Sequence, residues 1–358
     1  MIRSESGGGP YQSTLWMATQ EPELNEFLGY LSRKKDELLE KPNADHVFFF
    51  NEDHVQRVRK EFSRMILKGE ERLHRLCGLF ADHFMASDYF LKSVVIGRNA
   101  EEESFYLSQG ITEDEIYKTT DLDLGRRLLG RMKFQKGDTW VLPSLVANFV
   151  EYQSASTNEF QIHKMVSRIK AEEEIWAKAV DEIFQLDQIV SRDKKLRKLS
   201  FYIKDIFGVK FVVSKSHHVP RLLSALENFR GDNRNDEIRI IEVKNHLGLQ
   251  KQKKSGWQAL KVVVAWQGKV FEIQIQPLEV YLREQEYLTG ESHAGFKERR
   301  ERIRNEVAQK LPLFGFYVEL LKWLFINPHQ KPPQMSGIRV ELDNSKNQLT
   351  SPEPDLSS

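Results

Sequence analysis

The chain has 358 residues, of which 40% are hydrophobic and 29% charged, a composition typical of a globular protein rather than a disordered or fibrous one. Its 53 basic and 52 acidic residues almost cancel, so the net charge does not indicate a class of binding partner. A site for a polyanion would have to come from local clusters of basic residues. The single cysteine, Cys77, excludes an intrachain disulfide, and no apolar run approaches the roughly 20 residues of a membrane span. We therefore expect a cytoplasmic protein without a membrane partner.

The N-terminal part of the chain is predicted to be mostly helical. Residues 1–20 lack apolar periodicity and are expected to form a disordered leader. Apolar residues then recur at helical spacing in 21–40 and 53–92, and "ITEDEIYKTTDLDLGRRLLGRMKF" adds a helical pair. The next stretch, "QKGDTWVLPSLVANFVEYQ", is irregular and ends in either a helix or a strand. We expect a helical N-terminal region over residues 21–155, with no metal-ligand cluster and no glycine-rich phosphate loop. Binding a regulatory partner is one role for such a region.

From about residue 160 the pattern becomes that of an α+β domain. "HKMVSRIKAEEEIWAKAVDEIFQLDQIV" predicts a helix, "LSFYIKDIFGVKFVV" a β-rich segment and "HVPRLLSALENF" another helix. Strands are predicted in "DEIRIIEVKNHLG", "ALKVVVAW" and "KVFEIQIQ", the last two joined by a Gln267-Gly268 turn. Helices close the domain, which we place at residues 160–325, and a disordered tail is expected over 328–358.

The stretch "RIKAEEEIWAK" concentrates positive charge. Arg168, Lys170 and Lys178 could together hold a triphosphate, since guanidinium forks and ammonium groups bind phosphate oxygens. The alternative is a solvated helix face on which these cations pair with the glutamates at 172–174.

Two carboxylates carry the next hypothesis. Asp205 precedes a predicted buried strand, and a tight turn is expected at Gly208. Asp205 is either a residue that caps or forms this turn, or a ligand of a cation. Glu272, Gln274 and Gln276 share one face of a strand, opposite a core face made by Phe271, Ile273 and Ile275. That polar face is either plain solvent surface or one wall of a cleft. If Asp205 and Glu272 lie on neighbouring strands, their carboxylates can share a Mg²⁺ ion.

A tryptophan follows a glycine in the loop before these strands. Trp257 offers a flat surface on which a nucleotide base could stack, and a core or hinge tryptophan is the alternative.

Taken in order, these stretches resemble the motifs of the RelA/SpoT alarmone synthetase family. The family pattern R-x-K-x-x-x-S-I-x-x-K is similar to "RIKAEEEIWAK", with Glu174 at the serine position. The pattern D-[IL]-x-[GA]-[IV]-R is similar to "DIFGVK", with Lys210 at the arginine position. The acceptor loop K-x-N-G-Y-x-S-[LIV]-H is similar to "KKSGWQALK", and V-E-[IV]-Q-[IV]-R is similar to "FEIQIQ". "EYLTGESHAGFK" resembles a later helix that carries a glutamate, a histidine and a lysine.

The resemblance covers roughly residues 160–300 and implies a nucleotidyltransferase-like mixed β-sheet flanked by helices. It also implies a Mg²⁺-dependent pyrophosphokinase that takes ATP as donor and transfers pyrophosphate to the 3′-hydroxyl of GDP or GTP, of an adenine nucleotide, or of a tRNA end. The implied ATP ligands are Arg168, Lys170, Lys178 and Lys210. The implied metal-binding and catalytic residues are Asp205 and Glu272, and Glu272 is a candidate acceptor of the hydroxyl proton. The implied acceptor ligands are Lys253, Trp257, Lys261, Gln274, His293 and Lys297.

Two alternatives stay open, and the first of them follows from the departures at Glu174, Lys210, Lys261 and Gln276. A catalytically degenerate domain would bind a nucleotide or a protein partner without turnover. An active enzyme with a toxic product would be inhibited or activated by its N-terminal region. The hydrolase module common in the family has no counterpart in residues 1–150.

Overall fold

A computed structural model describes residues 22–99, 101, 103–169, 172–184, 206–230, 237–247, 258–289 and 307–343. They fall into two compact units. The first takes its described residues from 66–169 and 206–289, and the second from 22–65, 172–184 and 307–343.

The helices are α1 (Pro22–Glu40), α2 (Glu52–Phe84), α3 (Glu113–Lys118), α4 (Asp121–Leu129), α5 (Glu172–Ile183), α6 (His218–Glu227), α7 (Leu278–Thr289) and α8 (Pro312–Phe325). The strands are β1 (His46–Asn51), β2 (Tyr89–Arg98), β3 (Ser104–Ile111), β4 (Phe134–Lys136), β5 (Thr139–Val141), β6 (Ser144–Ser154), β7 (Ile162–Ile169), β8 (Phe207–Val213), β9 (Arg239–Asn245), β10 (Leu260–Trp266), β11 (Lys269–Pro277) and β12 (Ile338–Asp343). Among these described helices, none is both long enough and apolar enough to cross a bilayer.

The first unit is built on an eight-stranded sheet in the order β3-β2-β6-β7-β8-β11-β10-β9. Neighbouring strands are antiparallel except for β8 and β11, which are parallel. The α+β class, with a large mixed sheet flanked by helices, is confirmed.

One face of this sheet is apolar and packs under the C-terminal half of α2. The Phe80 ring of that helix lies 5.6 Å from the Phe211 ring of β8 and 5.5 Å from the Phe229 ring. Phe211 and Ile273 of the adjacent strand are fully buried. Burial of aromatic and branched side chains on this face is therefore the main source of stability of the unit.

The hairpin of β10 and β11 forms as predicted. Trp266 pairs with Lys269, and the two residues between them, Gln267 and Gly268, have φ of 43° and 73°. Positive φ at both central positions is the geometry of a type I′ turn, which matches the twist of the strands it joins. The predicted helix at α6 and the predicted strand at β9 are also confirmed.

The N-terminal region differs in part from its expected helical character. Residues 22–84 are largely helical, whereas β2, β3 and β6 add three strands to the sheet that also holds β8. In β2, Val94, Val95 and Ile96 are all buried, so this strand is an apolar run rather than an alternating pattern. Such a run does not distinguish a strand from a buried helix by its periodicity.

The predicted helix that begins at His163 also needs correction. Residues 162–169 form strand β7, and the helix is limited to α5, so Arg168 lies on a strand. Met165 and Val166 are buried by the sheet environment, which overrides the local helical spacing. Gly208 likewise lies inside β8, opposite Arg168 of β7, and not in a tight turn.

The tail is partly ordered, contrary to the expectation for 328–358. Ile338–Asp343 forms β12, which pairs in parallel with β1 to make a two-stranded sheet in the second unit. Local composition did not signal this strand because its partner lies far away in the sequence. The expected leader at 1–20 and residues 344–358 lie outside the described residues.

An aromatic core holds the second unit together. The Trp176 ring of α5 stacks on Phe325 with centroids 4.0 Å apart, and the Tyr317 hydroxyl donates to the Leu31 carbonyl at 2.9 Å. The Lys35 ammonium, although buried, is satisfied by the Ile183 carbonyl at 3.0 Å. These bonds compensate polar groups that burial would otherwise destabilise.

Candidate functional site

The second face of the large sheet is polar, and its origin is the two-residue period of β-strands. Phe271, Ile273 and Ile275 are fully buried on the core face, as predicted. Glu272 and Gln276 point to the other face but are also buried. The face that carries Glu272 and Gln276 is therefore covered by other parts of the protein and is not an open solvent surface. We call it the covered wall.

Strand register places polar side chains from several strands side by side on this face. Residues paired across neighbouring strands project from the same side of a sheet. One row of paired residues runs Glu151, Val166, Lys210, Gln274, Lys261 and Lys244. The row two residues along runs Arg168, Gly208, Glu272, Val263 and Glu242. Gly208, lacking a side chain, leaves the space between Arg168 and Glu272 unfilled by its own strand.

Glu272 is a buried acid in the middle of its row, beside Gly208. It is 5% exposed and forms an ion pair with the Lys261 ammonium from the neighbouring strand. The Gln274 amide donates to its other oxygen, Oε1, at 2.7 Å. Each carboxylate oxygen thus has a positively polarised partner, which compensates its removal from water.

Lys210 is held by a residue of α7, the helix that directly follows β11. The Lys210 ammonium donates to both oxygens of Glu284 at 3.0 Å, and Gln276 donates to Glu284 Oε2 at 2.8 Å. Burial raises the pKa of the Glu284 carboxyl, but the Lys210 charge, the Gln276 hydrogen bond and the Arg168 charge outweigh it and leave the pKa lowered. Glu284 is therefore an anion that neutralises cations on this face.

A second group of side chains extends the covered wall along the sheet. The Lys164 ammonium donates to Glu151 Oε1 at 2.7 Å and lies 4.7 Å from the centre of the Tyr281 ring. Lys210 lies 5.6 Å from the same ring, so Tyr281 faces two cations. Burial, followed by the negative charge of Glu151, raises the pKa of the Tyr281 hydroxyl, which keeps it a neutral donor.

The structure brings together some of the residues that the sequence nominates. Five of them lie on this one face of the first unit, namely Arg168, Lys210, Lys261, Glu272 and Gln274. Lys178 is buried on α5, which belongs to the second unit. The remaining nominated residues, Lys170, Asp205, Lys253, Trp257, His293 and Lys297, lie outside the described residues.

Glu284, Tyr281, Lys164 and Glu151 were not among the site residues predicted from the sequence. Tyr281 and Glu284 are three residues apart on α7, a spacing that places two side chains on the same helical face. Two polar residues at that spacing, directly after a strand with a polar face, are the sequence feature that could have identified Tyr281 and Glu284 as candidates. Lys164 and Glu151 carried no such signal, because Lys164 lies in a stretch predicted to be helical and Glu151 in a stretch whose pattern allows either a helix or a strand.

Asp205 and Glu272 are the two residues expected to bind Mg²⁺, and of these only Glu272 lies within the described residues. Its surroundings show whether a Mg²⁺ ion would fit there. Its buried carboxylate already faces a cation, the Lys261 ammonium. Carboxylate oxygens are the ligands that Mg²⁺ prefers in proteins. Glu272 also lies on a strand that pairs in parallel with β8, the strand that follows Asp205 in the sequence. The donor chemistry at Glu272 fits a divalent cation, provided that Lys261 turns away.

No protein-family model and no curated protein matches the chain. Among solved structures, the chain is similar to the small alarmone synthetase 2 from Bacillus subtilis, with 19% identity and a TM-score of 0.24, over 43% of this chain and 80% of that chain. It is similar to the small alarmone synthetase 1 from Bacillus subtilis bound to its product pppGpp, with 16% identity and a TM-score of 0.24, over 42% and 75% of the two chains. A third, smu.1046c from Streptococcus mutans UA159, has 19% identity and a TM-score of 0.23, over 42% and 74%. TM-scores this low carry no argument about activity.

Proposed function

We propose that this chain is a Mg²⁺-dependent pyrophosphokinase that transfers pyrophosphate from ATP to the 3′-hydroxyl of an acceptor. The acceptor would be GDP or GTP, an adenine nucleotide, or an RNA 3′ end. The proposal rests on the motif resemblance together with the register of the polar face.

The observation that carries the proposal is the arrangement around Gly208. This residue lies between a buried carboxylate, Glu272, and an arginine, Arg168, in one cross-strand row. Lys210 follows two positions along the same strand and on the same face. A carboxylate and cations on one face could bind a metal-bound polyphosphate, and Gly208 adds no side chain of its own between them.

The chemistry would require mainly electrostatic stabilisation. The acceptor oxygen forms a bond to the β-phosphorus of ATP while the bond to the oxygen between the α- and β-phosphates breaks, which releases AMP and the hydroxyl proton. Mg²⁺ held by Glu272 and, from the sequence motif, Asp205 would neutralise charge on the transferred phosphates. Arg168 and Lys210 would stabilise the negative charge on the phosphate oxygens in the transition state.

Lys210 can act in this way only if Glu284 releases it. The ammonium has both oxygens of that carboxylate at 3.0 Å, and a phosphate would compete for the same donor. Substrate binding is therefore expected to displace α7 or at least the Glu284 side chain.

The same two ion pairs favour a second candidate, a domain that binds a nucleotide or protein partner without turnover. Glu272 is paired with Lys261 and Glu284 with Lys210, so the two acids and two lysines already satisfy one another. A face that has lost its reaction would keep such pairs for stability, since an unpaired buried charge is destabilising.

The decisive experiment is incubation of the full chain with Mg²⁺ and γ-³²P-ATP in the presence of GDP, GTP, ADP, AMP or bulk tRNA. We expect label on at least one acceptor. Glu272→Gln should lower the rate at least about 100-fold, because loss of a charged group at the reacting centre typically has effects of this size.

Glu242→Gln is the matched control. Glu242 lies in the same cross-strand row as Glu272, on the edge strand β9, and makes an ion pair with Lys244. The same chemical change there should leave transfer near wild type. Absence of label on every acceptor, with tight binding of a non-hydrolysable ATP analogue by calorimetry, would leave only the binding domain. Absence of both would refute nucleotide function.

A further inference from the structure

A buried cluster in the first unit, away from the residues proposed for transfer, combines two carboxylates and an imidazole. Glu70 and His74 are four residues apart on α2, a spacing that places both on one face of a helix. Asp121 is the first residue of α4. Glu70, His74 and Asp121 are 6%, 0% and 4% exposed, so the cluster is closed to solvent.

The candidate donor atoms of these residues converge on one point. His74 Nε2 lies 2.9 Å from Asp121 Oδ1, and one donor atom from each residue lies within 4.8 Å of the others. Two ligands about 2.1 Å from one ion are separated by roughly 3.0–3.4 Å at octahedral or tetrahedral angles. The His74–Asp121 pair is close to that separation, and donor atoms as far apart as 4.8 Å would have to approach one another by roughly 1.4 Å to share an ion.

The hydrogen bonds around the cluster leave one buried acceptor unused. The backbone N–H of Asp121 donates to Glu70 Oε1 at 2.5 Å. Asp121 Oδ2, however, is buried and has no hydrogen-bond partner among the described residues. An unpaired carboxylate oxygen in a dry site is destabilising, and a cation beside it would remove that cost.

The second nitrogen of His74 is oriented by a group outside the cluster. His74 Nδ1 lies 3.0 Å from the hydroxyl of Tyr152, which is itself buried on β6. Histidines that bind metals through one nitrogen commonly use the other to donate a hydrogen bond to such a partner, which fixes the tautomer. His74 Nε2 is hydrogen-bonded to Asp121 Oδ1, so a metal at Nε2 would displace the proton of that bond, and the proton on Nδ1 would then be donated to the Tyr152 hydroxyl.

From this geometry we propose that Glu70, His74 and Asp121 form a structural site for a divalent first-row transition ion, with Zn²⁺ as the probe of choice. Imidazole with carboxylates favours Zn²⁺ or Mn²⁺ over Mg²⁺ and Ca²⁺, which prefer oxygen ligands alone. Because no ligand position reaches solvent, the ion would join α2 to the start of α4 rather than act on a substrate.

Charge balance agrees with this assignment. Two carboxylates with a neutral imidazole carry a charge of −2, which a divalent ion cancels. Without an ion the cluster must hold additional protons. Burial and the neighbouring Asp121 charge raise the pKa of the Glu70 carboxyl to about 7, the consequence of placing two acids together in a dry site.

The test begins with the unmodified full chain, purified without added metal and analysed for bound ions by mass spectrometry. Its thermal midpoint is then measured after chelation and after titration with Zn²⁺ or Mn²⁺. We expect one equivalent of a transition ion, a lower midpoint after chelation, and recovery on addition of one equivalent of Zn²⁺.

Three substitutions and a control locate the ion. Glu70→Gln and Asp121→Asn keep side-chain size and should abolish stoichiometric binding. Tyr152→Phe should only weaken binding, by about 10–100-fold, as expected for a group that orients a ligand. Glu71→Gln, on the exposed side of the same helix, should bind like wild type.

Wild-type protein that contains no transition ion, and whose thermal midpoint does not respond to Zn²⁺ or Mn²⁺, would overturn the proposal even if every variant failed to fold. The cluster would then be a proton-holding hydrogen-bond network. Binding that persists in folded Glu70→Gln and Asp121→Asn would overturn it as well.

Discussion

Replacing Glu284 by glutamine tests the contact that most constrains the polar face. The substitution keeps the shape of the side chain and leaves its neighbour Gln276 in place, but it removes the negative charge that holds Lys210. Both side chains of the ion pair are largely buried, at 19% exposed for Lys210 and 26% for Glu284. We expect Glu284→Gln to lower the free energy of unfolding by about 2 kcal/mol, midway between exposed and buried pairs.

The magnitude follows from the geometry. Two unit charges 3.0 Å apart attract by about 5 kcal/mol at an effective dielectric constant of 20, before desolvation is subtracted. Exposed pairs retain only about 0.2–1 kcal/mol of this, whereas loss of one partner of a fully buried pair costs about 3–5 kcal/mol. Lys210 keeps its contact with the Tyr281 ring, 5.6 Å away, which limits the loss.

The assay is urea unfolding at neutral pH of wild type, Glu284→Gln, Lys210→Met and the double variant. The cycle should give a coupling free energy of about 1–2 kcal/mol between the two residues. Glu279→Gln, an exposed position on the same helix, is the matched control and should unfold like wild type.

The pH dependence has a defined sign. The pKa of Glu284 is lowered in the folded protein from its ordinary value of 4.5. Its stabilising contribution is therefore present above about pH 4.5 and is lost as the pH falls through the folded-state pKa, because the unfolded chain binds the proton first. The difference between wild type and Glu284→Gln should shrink on acidification. Equal stability at neutral pH, or a difference that does not change down to the acid limit of folding, would refute this account of the ion pair.

Three further predictions concern the same unit. Alanine at Gly69 would place its Cβ 1.9 Å from the Phe207 ring, so Gly69→Ala should destabilise by about 1–2 kcal/mol even after the gain in helix propensity, as measured by urea unfolding. Gly78→Ala on the same helix meets nothing within 4 Å and should stabilise by about 0.5–1 kcal/mol; destabilisation there would contradict the packing. Under the proposed function, Glu284→Gln should also free Lys210 and tighten binding of a non-hydrolysable ATP analogue several-fold by calorimetry, whereas weaker binding would mean that Glu284 supports the site.

Local sequence was sufficient to predict the β10–β11 hairpin and its two faces. Alternation of apolar and polar residues sets which side chains face the core, and a Gln-Gly pair can adopt the two positive φ angles that the turn requires. The candidate roles of Glu272, Gln274 and Lys261 come from the family resemblance and stay predictions, but their closeness follows from the two strands joined by that short turn. Their common face is a local consequence of the register.

Local sequence was not sufficient for β2, β6 and β7. β2 and β7 each bury consecutive residues, so their apolar runs lose the period that marks a strand. The order of the strands follows from how the whole sheet packs.

Tertiary structure alone decided which distant residues meet. Lys210 and Glu284 are 74 residues apart, and Asp121 lies 47 residues after His74, so neither spacing carries a signal. From local sequence alone we therefore expect no metal-ligand cluster in the N-terminal region. Side chains so far apart along the chain become neighbours only when burial of the apolar faces brings their elements together, and that is a property of the whole fold.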